Sequence, residues 1–310
     1  MSNVQYVVAG AGVLGRGVAD LLASGGIRAK VLSRSGTQGK GWDSAVCDLR
    51  DAQQLARNIS GPTKLYVCAA PAYWLWKKEF PAIVDGIVSA CSGKSVDIVY
   101  ADNLYALGHS STAYTEDSPY RPCSIKGSVR QDAAERLMAL NGQAGLRTTI
   151  IRAADFFGPG VEQSSVGNAV VGAALSGKSA YVVGSADVAH AITYLPDFAQ
   201  AMVTLSMQDR AYGRIWHAPS HNLSSLRWLI EQIAARGIHP ARVSVAGPLM
   251  MRLIGLFNPA MRELREMLYM FDRPCLISSE RTCAEFGLTA TDLDTAIDET
   301  VAAFRAPTRP

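Results

Sequence analysis

A chain of 310 residues, 48% apolar and 18% charged, can fill one large core or two smaller ones and is too apolar to be disordered. Its net charge of +3, with no block of like charges, argues against a nucleic-acid surface. The most apolar late stretch, GPLMMRLIGLFNPAMRELREMLYMF, is broken by Arg252, Arg262 and Arg265 and falls short of the roughly 20 apolar residues of a membrane span.

In chain order, β-branched apolar runs predict strands at 4–9, 29–33, 44–48, 64–69, 95–100 and 147–152, with helices at 13–23, 51–58, 79–91 and 128–140. Continuous apolar runs alternating with helices imply a parallel, doubly wound α/β sheet of Rossmann type. Beyond residue 155 the alternation loosens. A helix near 164–176 and a short YVV strand precede YLPDFAQAMVTLSM and RIWHA, which rejoin the sheet region. Helical patterns then dominate at 223–235, 248–256, 259–271 and 293–305. The expected organisation is a Rossmann domain over 1–155, rejoined by about 188–218, and a smaller, mainly helical lid from 156–187 and 219–305. The N-terminus enters an apolar strand without a basic leader, so a soluble cytoplasmic protein is expected. The six cysteines form no CxxC pair and the five histidines show no ligand spacing, which points to reduced thiols and no metal.

The first strand runs into Gly10-Ala11-Gly12-Val13-Leu14-Gly15 and then a helix, the context a dinucleotide loop requires. Gly10 permits the tight turn, Gly12 admits the pyrophosphate to the backbone, and Gly15 lets the helix approach the strand. The N-terminus of that helix, at Val13 and Leu14, faces the anion. The second strand ends in Ser33-Arg34-Ser35, with no carboxylate for a ribose 2′-hydroxyl. A guanidinium flanked by hydroxyls suits a 2′-phosphate, so NADP(H) is favoured over NAD(H). Position alone puts Asp48 near the adenine amino group and Ala69-Ala70-Pro71 beneath the ribose.

The glycine loop, YADNLYALG (100–108), EDSPYRPCSIKGSVRQDAAE (116–135), RAADFFGPG (152–160) and YLPDFAQA (194–201) together resemble the short-chain dehydrogenase/reductase superfamily, in its extended, epimerase/dehydratase-like branch. The resemblance implies a serine or threonine after the fifth strand and a Tyr-x-x-x-Lys on the next helix. Here those positions carry Ala101, Lys126 and Arg130. Lys-x-x-x-Arg is similar to the isoflavone-reductase and NmrA-like branch, where a lysine replaces the tyrosine. Burial beside nicotinamide, with Arg130 one turn away, would disfavour the charged form of Lys126 and suit it to general acid or base work. By the same resemblance Arg130 reaches the nicotinamide ribose, Lys126 borders the cofactor, and Ala153, Asp155 and Phe156 border nicotinamide and substrate. Asp102 and Tyr105 are further catalytic candidates: Asp102 would hold Lys126 charged, and Tyr105 would supply a displaced phenol.

Three readings stay open. The first is an NADP(H)-dependent oxidoreductase acting on a small carbonyl or enone. The second is a nucleotide-sugar epimerase or dehydratase, and the third a non-catalytic NADP(H) sensor. A small-molecule substrate is the expected partner, with neither nucleic acid nor membrane. Helices 79–91 and 128–140 are those that pair into homodimers in many relatives. Tyr73, Trp74, Trp76 and Phe80 are candidates for a pocket wall or for helix packing. Met250, Met251, Met261, Met267 and Met270 form a soft apolar group in the late helices.

Overall fold

The computed structural model describes residues 4–247 and 265–306. The helix expected at 248–256, the start of that at 259–271, and Met250, Met251, Arg252, Met261 and Arg262 lie outside the described residues.

The chain forms two compact units. The first runs to Ala106 and takes in Ile125–Arg152 and Phe198–Ala218. Its strands are β1 (Gln5–Ala9), β2 (Lys30–Ser33), β3 (Asp43–Val46), β4 (Thr63–Val67), β5 (Val96–Asn103) and β6 (Leu146–Ala153, whose last residue falls in the other unit). These pair with β10 (Ile215–His217) in a seven-stranded parallel sheet of order β10-β6-β5-β4-β1-β2-β3. Val7, Val8, Leu65, Ile98 and Val99 are wholly buried, which is why these strands read as unbroken apolar runs. Helices α1 (Val13–Ser24), α2 (Ala52–Arg57), α3 (Trp76–Cys91) and α4 (Ile125–Met138) connect them, and most of the helix Leu195–Ser206 belongs here too. The chain leaves β1 for β2 on one side and returns to pair β4 on the other. That reversal opens a crevice at the carboxyl ends of the central strands.

The second unit comprises Leu107–Ser124, Ala153–Asp197 and the described chain from Pro219 onward. Besides helices at Leu226–Ala235, Glu280–Phe286 and Leu293–Arg305 it holds five short strands. β7 (Asp155–Phe157), β9 (His190–Tyr194) and β11 (His221–Leu223) make one sheet, and β8 (Ala180–Val183) pairs β12 (Val243–Ala246) in another. Val170, Val171, Ile192, Leu229, Ile230 and Ile297 fill its core. This is more β-structure than its sequence patterning supplied, because strands of three to five residues are shorter than the window in which periodicity shows.

Two boundaries differ from expectation. Residues 107–124 join the second unit because the Tyr114 backbone exchanges hydrogen bonds with Leu276 and Ser278, both 2.8 Å, and Glu116 accepts from the Thr282 hydroxyl at 3.0 Å. Residues 188–197 join it because β9 is the central strand of its three-stranded sheet.

Candidate functional site

At the carboxyl ends of β1 to β4 the first unit holds a cavity of about 430 Å³. Gly10 and Gly12, Ser33, Arg34 and Ser35, Asp48, and Ala69, Ala70 and Pro71 all line it. The glycine loop is closed on two sides. Gly10 has φ +116°, and a Cβ there would meet the Ala69 nitrogen at 2.7 Å; one on Gly15 would meet the Gly10 carbonyl oxygen at 1.9 Å. At Gly12 nothing lies within 4 Å, so the backbone is open to a ligand there. Gly12 caps α1 without a side-chain hydrogen bond, and no acidic residue occupies the first turn, so the helix presents bare N–H groups.

Ser33 is turned into its own loop and accepts from the Gly36 and Thr37 nitrogens at 3.0 and 3.2 Å. The exposed Arg34 guanidinium makes no hydrogen bond or ion pair among the described residues. An open glycine backbone, an uncapped helix and an uncommitted guanidinium fit a dinucleotide. Asp48 is bound more tightly than position indicated: Arg50 donates to both of its oxygens, at 2.6 to 3.1 Å, and holds the carboxyl below the usual range. Val13, Leu14 and Gly15 lie along α1 and do not line the cavity, and neither does Lys126.

The inner stripe of α4 is Lys126, Arg130, Ala133, Ala134 and Leu137, with Gly127 beside it. Two cations thus occupy positions where an ordinary helix buries aliphatic side chains. Lys126 is 2% exposed and its Nζ lies 4.5 Å from the centre of the Tyr73 ring. Arg130 is buried too, at 6% exposed. Its guanidinium packs 4.9 to 5.5 Å from the rings of Phe80, Trp76 and Tyr100, and donates to the Tyr100 hydroxyl at 2.7 Å. Burial is the main reason the Tyr100 phenol is driven upward. Trp76 and Phe80 therefore serve as packing for an arginine, whereas Trp74 is 56% exposed.

Asp102, at the tip of β5, is completely buried and is shared between two guanidinium groups. Arg152 Nε donates to it at 3.0 Å, and Arg130 Nε lies 3.2 Å from its other oxygen. Asp102, expected beside Lys126, has its described ion pairs with these two arginines. Arg130, expected to reach the ribose, is held by Asp102 and the aromatic rings. Tyr105 sits 5.9 Å from the Trp76 ring, and its backbone N–H donates to Asn103 at 3.1 Å. Arg152 was not foreseen: a charge closing an apolar strand ordinarily reaches water.

Ala153, Asp155 and Phe156 belong to the second unit. Asp155 Oδ2 accepts from the Ser165 hydroxyl at 2.5 Å and pairs with His190 Nε2 at 2.9 Å, while the ring of His190 stacks on Phe271 at 5.5 Å. Sequence reasoning missed this group, since 35 residues separate Asp155 and His190 and no motif joins them.

Comparison with known proteins covers most of this ground. Residues 6–217 match the family model described as NAD dependent epimerase/dehydratase family. A 3beta-hydroxysteroid-dehydrogenase/decarboxylase isoform 2 of Arabidopsis thaliana is 27% identical over 171 residues, 50% of this chain and 29% of that protein. The chain thus spans about a third of the length of the curated relatives it matches, 29% and 38%. Among solved structures, a dTDP-glucose 4,6-dehydratase (DesIV) from Streptomyces venezuelae with NAD bound superposes with a TM-score of 0.79 at 16% identity, covering 97% of each chain. The UDP-glucose 4-epimerase of Thermus thermophilus in complex with NAD gives 0.76 at 20% identity, over 97% of this chain and 99% of that one. At such identities the likeness is one of fold alone. No helix among the described residues is long and apolar enough to cross a membrane. With the family model spanning the glycine loop, the β5 tip, α4 and β10, the chain belongs to the NAD dependent epimerase/dehydratase family.

Proposed function

We propose that the protein is an NADP(H)-dependent oxidoreductase that acts on a small carbonyl or enone compound, with Lys126 in the place of the family's tyrosine. The observation that carries this reading is the burial of Lys126 on the inner stripe of α4, one turn from Arg130. A surface lysine would have supported the sensor reading instead. When bound, the nicotinamide group supplies or accepts a hydride. Gly10, Gly12 and the first turn of α1 hold its diphosphate, and Arg34 takes the 2′-phosphate. Lys126 Nζ gives a proton to the substrate oxygen, or orients that oxygen by a charged hydrogen bond. Arg130, fixed by Asp102 and Tyr100, acts from behind to hold the first turns of α4 in place. Tyr105 borders the substrate.

A nucleotide-sugar epimerase or dehydratase is the second reading, supported by the solved neighbours that carry NAD. Under it the purified protein retains a nicotinamide nucleotide, because the cofactor is regenerated in every cycle. Under the oxidoreductase reading it purifies empty and oxidises NADPH with members of a carbonyl and enone panel. Lys126→Ala should then lower turnover by about 100-fold or more and leave NADPH affinity within threefold. Unaltered turnover in that variant removes Lys126 from the chemistry.

A further inference from the structure

Among the described residues four charged side chains line the cavity: Arg34, Asp48, Arg50 and Glu79. Two are positive and two negative, so their sum is zero. The balance is unevenly built. Arg50 alone binds both carboxylates: its Nη2 lies 2.6 Å from Asp48, and its Nη1 lies 3.2 Å from Glu79 in the first turn of α3. Its backbone N–H also donates to Asp48 at 3.0 Å. Arg34 contributes only at a distance, through its charge on Asp48.

We propose that Arg50 determines cofactor preference by neutralising the Asp48 and Glu79 carboxylates, so that the cavity tolerates the 2′-phosphate that Arg34 binds. The inference rests on the reading of this cavity as the dinucleotide site. NADPH and NADH share a diphosphate and differ by one phosphate monoester carrying about −1.5 to −2 charges at neutral pH. Without Arg50 the lining charge falls to −1, one cation against two carboxylates, and the added phosphate meets repulsion that NADH does not. Removing Glu79 has the opposite sign. Neither carboxylate stands at the β2 tip, where an NAD site carries one; they follow β3 and open α3, and Arg50 masks both from within the same cavity.

The test is calorimetric titration of NADPH and NADH into wild type, Arg50→Met, Glu79→Gln and the double variant Arg50→Met/Asp48→Asn. Arg50 is 38% exposed, so its replacement leaves the core intact. The quantity read is the ratio of the two dissociation constants, in which the shared diphosphate cancels. Arg50→Met should move that ratio at least tenfold toward NADH. Glu79→Gln should move it toward NADPH by about threefold, and Asp48→Asn should recover much of the Arg50→Met loss. Each shift should shrink between low and high salt, as expected of charges near solvent. A ratio within twofold of wild type in Arg50→Met overturns the proposal. A wild type that prefers NADH defeats the NADP(H) reading alone, because the role of Arg50 is judged on the change in ratio. Failure of wild type to bind either nucleotide overturns both.

Discussion

Strand β5 carries a carboxylate near each end, and the two are treated differently. Asp97, at the start, accepts from Lys64 at 2.9 Å and from Arg147 at 2.7 Å on both oxygens, and Arg147 in turn pairs with Asp209 at 2.7 Å. This network is partly open to water, with Arg147 42% exposed. Asp102, at the other end, is also shared by two cations, yet it is sealed, and its Oδ1 and the Arg130 Nε have no well-formed hydrogen bond. One end is a satisfied brace. The other end keeps buried charge in an incompletely satisfied state, which costs stability.

The largest effect is expected at Asp102. Asp102→Ala leaves two buried guanidinium groups facing one another, and should cost about 3–5 kcal/mol in urea unfolding. A loss below about 1 kcal/mol would mean that the pair contributes little. Asp97→Ala should cost less, about 1–2 kcal/mol, since its cations can turn to solvent. The wild-type advantage over Asp97→Ala should shrink in 1 M salt while that over Asp102→Ala holds. Equal salt sensitivity at both positions would erase the distinction.

The smallest effect is in acid. Burial opposes ionisation of Asp97, but its hydrogen bonds from Arg147 and Lys64 win, and the carboxyl is held below its ordinary value. A depressed carboxyl contributes stability above its unfolded value near pH 4, and that contribution is lost as pH falls through the lower folded value. Asp97→Asn should therefore flatten the acid limb of the stability curve below about pH 4 and leave its slope at neutral pH unchanged.

The first unit was legible because parallel strands covered on both faces must be apolar throughout, and the glycine loop advertises its own turn. Lys126 and Arg130 were legible as a departure from a pattern, and burial of Lys126 was expected from the resemblance, but what encloses them was not. It depends on α3 supplying Trp76 and Phe80 as a lining, and on β6 lying beside β5 so that Arg152 meets Asp102. Arg50 escaped notice for a similar reason. Its partner Glu79 sits on a different element, and a loop arginine next to an aspartate looks like an ordinary solvated pair. Short strands such as β7 and β11, three residues each, are made by tertiary pairing and leave no periodic trace.

The proposed function rests on the cavity at the carboxyl ends of β1 to β4 being an NADP(H) site that serves Lys126. The most direct measurement is calorimetric titration of NADPH and NADH into nucleotide-free wild-type protein. NADPH should bind, with NADH at least tenfold weaker, a difference of about 1.4 kcal/mol. Absence of heat with both nucleotides, confirmed by equilibrium dialysis, would contradict it and reduce the glycine loop to a tight turn.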